Sequence, residues 1–270
     1  MSHTPRYRLK HDPHNGLLHV KASQPLPRYW RYLPSPDLEP FVEHYWEIEW
    51  NLPVPELRET LPYPSAHFVF EPGVADLAGV TTRKYSRWLE GDSRVLGVKF
   101  RPGGLRPFVP LRVSAYTDRV LPLAQLYGDA GARLGHAALA QADHHASVAI
   151  IETFLRDRAP RVDPALALAS TIAARIAADR TLRSVDELAR TFDVTLRWLQ
   201  RLFGEYVGVG PKWMIRRYRL QEAAERLAAA ETVDWPALAL ELGYADQAHF
   251  IRDFKRLVGR APAEYFKRMA

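Results

Sequence analysis

The sequence predicts an α+β protein: a β-rich first half, a helical connector, and an all-α C-terminal domain built around two helix-turn-helix units. Three observations carry this. Up to about Leu121 the chain is dense in proline (positions 25, 27, 34, 36, 40, 53, 55, 62, 64 and 72) and in short β-favouring runs such as HYWEIEW, HFVFEPG, GVTTRKY and RVLGVKFRPGG. After Tyr127 it turns to Ala, Leu and Arg at helical spacing, in GDAGARLGHAALAQ, ASVAIIETFLRDR and PALALASTIAARIAA. Near the C-terminus one helical motif occurs twice.

For residues 1–125 the prolines forbid long helices, and strands of modest length bounded by glycine suit a barrel or sandwich. A β-barrel is therefore expected there. Residues 126–160 read as connecting helices. RAPRVDP, 158–164, carries two prolines and marks the boundary to a helical domain over 161–270.

A chain of 270 residues accommodates two such domains, and 47% hydrophobic with 25% charged residues is a globular composition. No apolar run approaches the length that spans a bilayer, so no membrane partner is expected. The first twenty residues are basic and polar without the apolar stretch of a secretory signal, and the chain contains no cysteine. These features place it in the cytoplasm and exclude disulfides, thiolate metal sites and a cysteine nucleophile. The net charge of +6 favours a polyanionic partner only weakly. From Arg161 onward 18 Lys+Arg stand against 14 Asp+Glu, a net +4, which leaves +2 for residues 1–160.

The repeat says more than the charge. LQRLFGEYVGVGP (199–211) laid over FIRDFKRLVGRAP (250–262) pairs Arg201 with Arg252, Phe203 with Phe254, Val207 with Val258, Gly208 with Gly259 and Pro211 with Pro262. Upstream, DELARTFDVT parallels PALALELGYA, pairing Ala189 with Ala239 and Thr195 with Ala245 at an offset one residue shorter, which puts an extra residue at the start of the second copy's last helix. Each copy reads as helix, tight turn, helix, with a small alanine where two helices approach and a turn residue, Asp193 or Gly243, between them. Leu199, Leu202, Phe203 and Tyr206 form an i, i+3, i+4, i+7 stripe, which leaves Arg197, Gln200 and Arg201 on the opposite face of a helix over 195–206. In the second copy Phe250, Phe254 and Leu257 point inward from a helix over 246–257, leaving Gln247, His249 and Arg252 outward or near its start. Guanidinium forks and amides on such a face match guanine O6/N7 and adenine N6/N7 in a major groove. Between the copies, PKWMIRRYRLQEAAERLAA opens with Pro211 and runs without a breaker, a strut of about 28 Å at about 1.5 Å per residue. Its Lys212, Arg216, Arg217 and Arg219 are candidates for phosphate contact, some of them packing inward.

Residues 163–270 resemble the DNA-binding region of the AraC/XylS family of bacterial transcription regulators, whose second motif reads Gly-aromatic-x-x-Gln-x-His-Phe-x-Arg-x-Phe. Here it is Gly243, Tyr244, Gln247, His249, Phe250, Arg252 and Phe254. The resemblance implies sequence-specific binding to double-stranded promoter or operator DNA through Arg197, Gln200, Arg201, Gln247, His249 and Arg252. Ala248 stands where some relatives carry a longer polar residue, which implies weaker base readout by the second copy. RNA polymerase and a second copy of the chain are the further macromolecular partners it implies.

GVKFRPGGLRPF (97–108) and PFVEHYWEIEW (40–50) resemble the cupin-like sensor domain of one AraC-type subgroup. The expectation is a small-molecule effector at the barrel mouth, with Trp46, Trp50, His67, Phe70 and Arg101 as candidate lining residues, and coupling through the helices of 128–160 to the first DNA-binding motif. Aromatic side chains at this spacing equally describe plain core. No metal or cofactor is expected: His44 and His67 are isolated in sequence, His144 and His145 are adjacent on a helix and diverge, and there is no phosphate loop, Gly-x-Ser-x-Gly elbow or His-Glu-x-x-His pair. The absence of cysteine also excludes the methyl-acceptor chemistry that some DNA-repair proteins fuse to an AraC-type module. A catalytic role is thus not expected. The alternatives are a cupin-type enzyme fused to a DNA-binding module and an architectural protein that binds DNA without regard to sequence.

Overall fold

The computed structural model describes residues 17–18, 27–158 and 163–269. Seven strands form one antiparallel sheet: β1 (Leu17–Leu18), β2 (Arg28–Tyr32), β3 (Val42–Thr60), β4 (His67–Glu71), β5 (Val74–Ala78), β6 (Tyr85–Phe100) and β7 (Val120–Pro122). The strand order is β1-β3-β6-β4-β5-β7, with β2 pairing alongside β1 on β3. The described strands do not close on themselves, so the expected barrel is corrected to an open sheet. Its spine is the long β3–β6 pair, in register from His44↔Lys99 to Leu52↔Gly91 and again from Glu56↔Leu89 to Thr60↔Tyr85. The break between Leu52 and Glu56 coincides with Pro53 and Pro55, which have no N–H to give to a ladder.

Alternation along the strands gives the sheet two faces. One carries Tyr45, Phe68, Phe70, Leu96, Val98 and Phe100 into the main core; the other carries Trp50, Leu52, Leu89 and Val95 in a smaller cluster against Trp46, Ile48 and Val69. Helices α1 (Leu123–Tyr127), α2 (Asp129–Leu139) and α3 (His144–Arg156) follow directly on β7. Leu134, Val148, Ile151 and Leu155 from these helices join the main core. An ion-pair network pins α3 to the sheet: fully buried Glu47 meets Arg94 at 2.9 Å and the Nδ1 of His144 at 2.6 Å, and Trp30 stacks on that imidazole with centroids 4.8 Å apart.

The C-terminal helices are α4 (Pro164–Ala178), α5 (Val185–Thr191), α6 (Leu196–Tyr206), α7 (Pro211–Ala229), α8 (Trp235–Glu241), α9 (Gln247–Val258) and α10 (Pro262–Met269). Much of the expected boundary segment, residues 159–162, lies outside the described residues. The main core runs on from the sheet into α4 (Leu166, Ile172) and the first helical copy (Leu188, Leu199, Phe203), ending at Met214 and Ile215. The second copy has a separate core of Leu220, Leu227, Leu238, Phe250, Phe254 and Tyr265, reached from the sheet domain by Leu61. No helix among the described residues is long and apolar enough to cross a membrane.

Candidate nucleic-acid interface

The two copies are built by the same local chemistry. Helices α5 and α8 have seven residues each, capped by Ser184 on the Glu187 amide and by Asp234 on the Ala237 amide. Each then turns through one left-handed residue, Asp193 (φ 50°) or Gly243 (φ 74°). After the turn, the amide of Val194 donates to the Ala189 carbonyl at 3.0 Å and that of Tyr244 to the Ala239 carbonyl at 2.9 Å. Ala189 and Ala239 are both buried, as close helix approach requires. The second helices start from equivalent caps: the Thr195 hydroxyl accepts from the Trp198 amide at 3.2 Å and the Asp246 carboxylate from the His249 amide at 2.6 Å. Thr195 and Asp246 therefore correspond, which corrects the sequence alignment of Thr195 with Ala245. The extra residue of the second copy sits in the turn, where Tyr244 and Ala245 replace Val194 alone; the Tyr244 ring joins the second core as Val194 packs on the main one.

On α6, Leu199, Leu202 and Phe203 are buried while Arg197, Gln200 and Arg201 are exposed. Neither arginine has an ion-pair or hydrogen-bond partner among the described residues. One turn further along, the same face meets the N-terminal half. A Cβ on Gly204 would lie 3.8 Å from the Ser114 hydroxyl, Glu205 pairs with Arg106 at 2.6 Å, and the Thr117 hydroxyl donates to the Gly208 carbonyl at 2.7 Å. The open part of the α6 face is thus its first two turns, the part a recognition helix presents to base edges.

On α9, Arg252 is exposed and unpaired among the described residues, and Gln247 is half-buried at the first turn. His249 is drawn back onto its own helix. Its Nε2 lies 3.5 Å from buried Asp253, and its ring meets the Tyr244 ring edge-on at 5.2 Å. Asp253 is also held by Arg216 of α7 at 3.3 Å. The structure therefore gathers Arg197, Gln200 and Arg201 on one face and leaves Gln247 and Arg252 on a second, with His249 exposed beside that face and leaning onto Asp253 and Tyr244.

The strut α7 spans nineteen residues, Pro211–Ala229. Of its four basic candidates only Lys212 is exposed. Arg216 is engaged with Asp253, and Arg219 donates to the carbonyls of Gly243 and Arg183. Arg217 is 1% exposed; its Nε donates to the Pro62 carbonyl at 2.8 Å, Nη1 to Gln221, and its guanidinium lies over Tyr63 at 3.8 Å and Tyr218 at 4.6 Å. Sequence reasoning missed this clamp because Arg217 looks like its neighbours; the surrounding tyrosines were the available signal.

The five effector candidates do not line one cavity. Trp46, Trp50 and His67 share the face of the smaller cluster, Phe70 is buried on the opposite face in the main core, and Arg101 lies past the end of β6. Trp46 lies across β6 where Gly97 leaves room: a Cβ there would fall 2.2 Å from the indole. The indole N–H donates to His67 Nδ1 at 3.1 Å. The register sets His44 and His67 on either side of Lys99, so neither is isolated in space. Burial, with Lys99 and His44 adding to it, pushes the His67 pKa down to about 3. A bulge between Val42 and His44 turns Glu43 toward Lys99, 2.9 Å away. Burial alone would raise the Glu43 carboxyl, but His44 and Lys99 outweigh it and hold the pKa at about 2. Glu47, Glu49 and His144 come within 4.8 Å of one another, bringing His144 into a cluster its sequence neighbours did not suggest. The carboxylates already have partners, Glu47 in Arg94 and the His144 ring nitrogen, and Glu49 in Arg28 at 3.0 Å.

Comparison with known proteins bears on both halves. Residues 188–268 match the family model of a helix-turn-helix domain, and residues 30–122 match a domain of unknown function (DUF6597). An uncharacterised HTH-type transcriptional regulator of Haemophilus influenzae is 31% identical over 83 residues, covering 31% of this chain and 28% of that protein. The HTH-type transcriptional regulator GlxA of Rhizobium meliloti is 36% identical over 81 residues, covering 30% of this chain and 25% of that protein. The chain thus spans little more than a quarter of the length of the curated relatives it matches. Among solved structures, a probable AraC family transcriptional regulator from Rhodopseudomonas palustris is 27% identical, covering 36% of this chain and 93% of that one with a TM-score of 0.33. With the duplicated, equivalently capped motif and the domain match in agreement, the C-terminal part of the chain is a helix-turn-helix domain, placed behind the stretch that matches DUF6597.

Proposed function

We propose that the protein is a sequence-specific, non-enzymatic regulator of transcription that reads two consecutive major grooves with α6 and α9 and responds to an effector through its N-terminal half. One observation carries this reading: Arg197, Gln200 and Arg201 on α6 and Arg252 on α9 are exposed on faces opposite packed cores, on two units of the same design joined by one continuous helix. Among the described residues the arginines on these two faces have no ion-pair or hydrogen-bond partner, and a bidentate arginine–guanine pair is worth about 1–3 kcal/mol of discrimination. The cytoplasm is the compartment such a role requires, and RNA polymerase and a second copy of the chain are the partners proposed with it. Coupling would run through the contacts of Arg106, Ser114 and Thr117 with the end of α6.

Gel-shift titration against the DNA upstream of its own gene and against random DNA tests the reading. A specific site should be favoured by about 4–10 kcal/mol over random sequence. Arg201→Ala and Arg252→Ala should each relax discrimination at a single base position by about 1–3 kcal/mol. Binding that depends steeply on salt yet ignores sequence would replace the regulator with an architectural DNA-binding protein.

A further inference from the structure

The aromatic face proposed from sequence as the effector site is packed, with Trp46 flat on Gly97. The room lies elsewhere. A cleft of about 580 Å³ opens where the sheet domain, α4 and α7 meet, with walls that include Glu43 and Arg101 from the first, Ala174 and Ala177 from the second, and Tyr218 and Arg219 from the third. Its size falls within the range of about 300–1,000 Å³ for small-molecule sites, which favour boundaries between domains.

Its charge pairing says what would bind. Three carboxylates in the wall already hold a cation, Glu43 with Lys99 at 2.9 Å, Asp179 with Arg175 at 2.7 Å and Glu225 with Arg180 at 3.0 Å, and Glu222 shares Arg226, 3.9 Å away, with Glu241. The two remaining cations have no carboxylate among the described residues. Arg101 is exposed and uses only Nε, on the Glu39 carbonyl at 2.7 Å; Arg219 donates to two carbonyls and lies over the Tyr244 ring at 5.7 Å. Two unpaired arginines against the one carboxylate with a shared cation leave the excess positive, and the α4 wall beside it offers an apolar stretch, Ala173, Ala174, Ile176 and Ala177, next to the hydroxyls of Ser170 and Thr171.

We infer that this junction cleft is the effector site and takes a small organic anion, its apolar body against α4 and its acid group on the open fork of Arg101. The inference rests on the effector-responsive reading above and moves its site off the sheet face. A bound acid would touch the sheet domain, the helix leading into the first DNA-binding unit and the strut that carries the second, so it would bias their relative positions by direct contact.

The test is calorimetric titration of the full chain with benzoate, decanoate and phenyl phosphate. At least one should bind. Arg101→Gln should weaken that binding by at least about tenfold, Ala174→Phe should abolish it by filling the cleft, and Trp46→Phe should leave it unchanged. Binding of the carboxylates alone identifies a carboxylic acid, and binding of phenyl phosphate alone a phosphate ester. If none of the three binds, or if bound acid ignores both cleft substitutions, the inference is wrong. Gel shifts with and without the bound acid separate the two readings. A change in DNA affinity supports the effector role, an unchanged affinity overturns it, and failure to bind DNA at all counts against the regulator while calorimetry still decides the site.

Discussion

Arg217 is the sharpest place to perturb the junction between the two halves. Its guanidinium is 1% exposed and has no carboxylate partner among the described residues; Nη2 is buried without a hydrogen bond. Replacing it with methionine removes a charge-assisted hydrogen bond to the Pro62 carbonyl, about 1.5–3 kcal/mol, and the stacking on Tyr63, about 1–2 kcal/mol. Against this, methionine keeps most of the stem and ends the cost of holding an unpaired cation away from water, itself several kcal/mol. These contributions nearly cancel, so Arg217→Met should cost no more than about 1–2 kcal/mol. Arg217→Ala loses the same contacts and also leaves a cavity between α7 and the 61–65 loop, for a total of about 3–5 kcal/mol. Urea unfolding of the full chain, read by far-UV circular dichroism with linear extrapolation, measures both. An alanine variant costing under about 1 kcal/mol would show that the residue is not a clamp. A methionine variant as damaging as alanine would show that the charge, not the packed stem, holds the junction.

Three further outcomes are expected. Thr195→Ala and Asp246→Ala each remove the equivalent cap of a recognition helix and should cost about 1 kcal/mol of stability, measured by the same unfolding assay; a large difference between them would break the equivalence of the two copies. Gly97→Ala places a Cβ 2.2 Å from the Trp46 indole, so it should destabilise by about 1–3 kcal/mol and shift tryptophan emission, whereas a neutral effect would mean the indole moves freely. His67, held neutral by burial with a pKa near 3, binds fewer protons folded than unfolded below its ordinary value of 6.5. Stability should therefore fall as pH drops from 6.5 toward 3, at up to about 1.4 kcal/mol per pH unit, with buried His44 adding in the same sense. His67→Gln should flatten that slope, and a slope unchanged in this variant would assign the acid sensitivity to other groups.

The C-terminal domain was legible because its rules are local. The i, i+3, i+4 stripe of Leu199, Leu202 and Phe203 and the Gly and Pro endings of each copy fix helices and faces within a few residues of the side chains concerned. The slip over Thr195 and Ala245 arose where an N-cap decides the boundary, since Asp246 suits a cap at least as well as a turn. The sheet domain was legible only as β. Whether strands close depends on pairing between distant residues, which alternation does not encode. Alternation does place His67 and Phe70, three residues apart, on opposite faces, and the grouping of both with Trp46 overlooked that parity. The cleft at the junction was invisible in sequence because its walls come from positions as far apart as Glu43 and Glu225.

The division of the apolar cores gives the two helix-turn-helix units unequal mechanical independence. The first is continuous with the interior of the sheet, so its amides should exchange with solvent only when the front of the molecule opens too. The second closes over its own interior and is tethered by α7, Leu61 and the link from Glu59 to Arg260 at 3.1 Å. Releasing that tether should free one unit to swing while the other stays fixed to the sheet. Adjusting the spacing between the two units should thus need far less disruption than detaching the pair from the sheet domain.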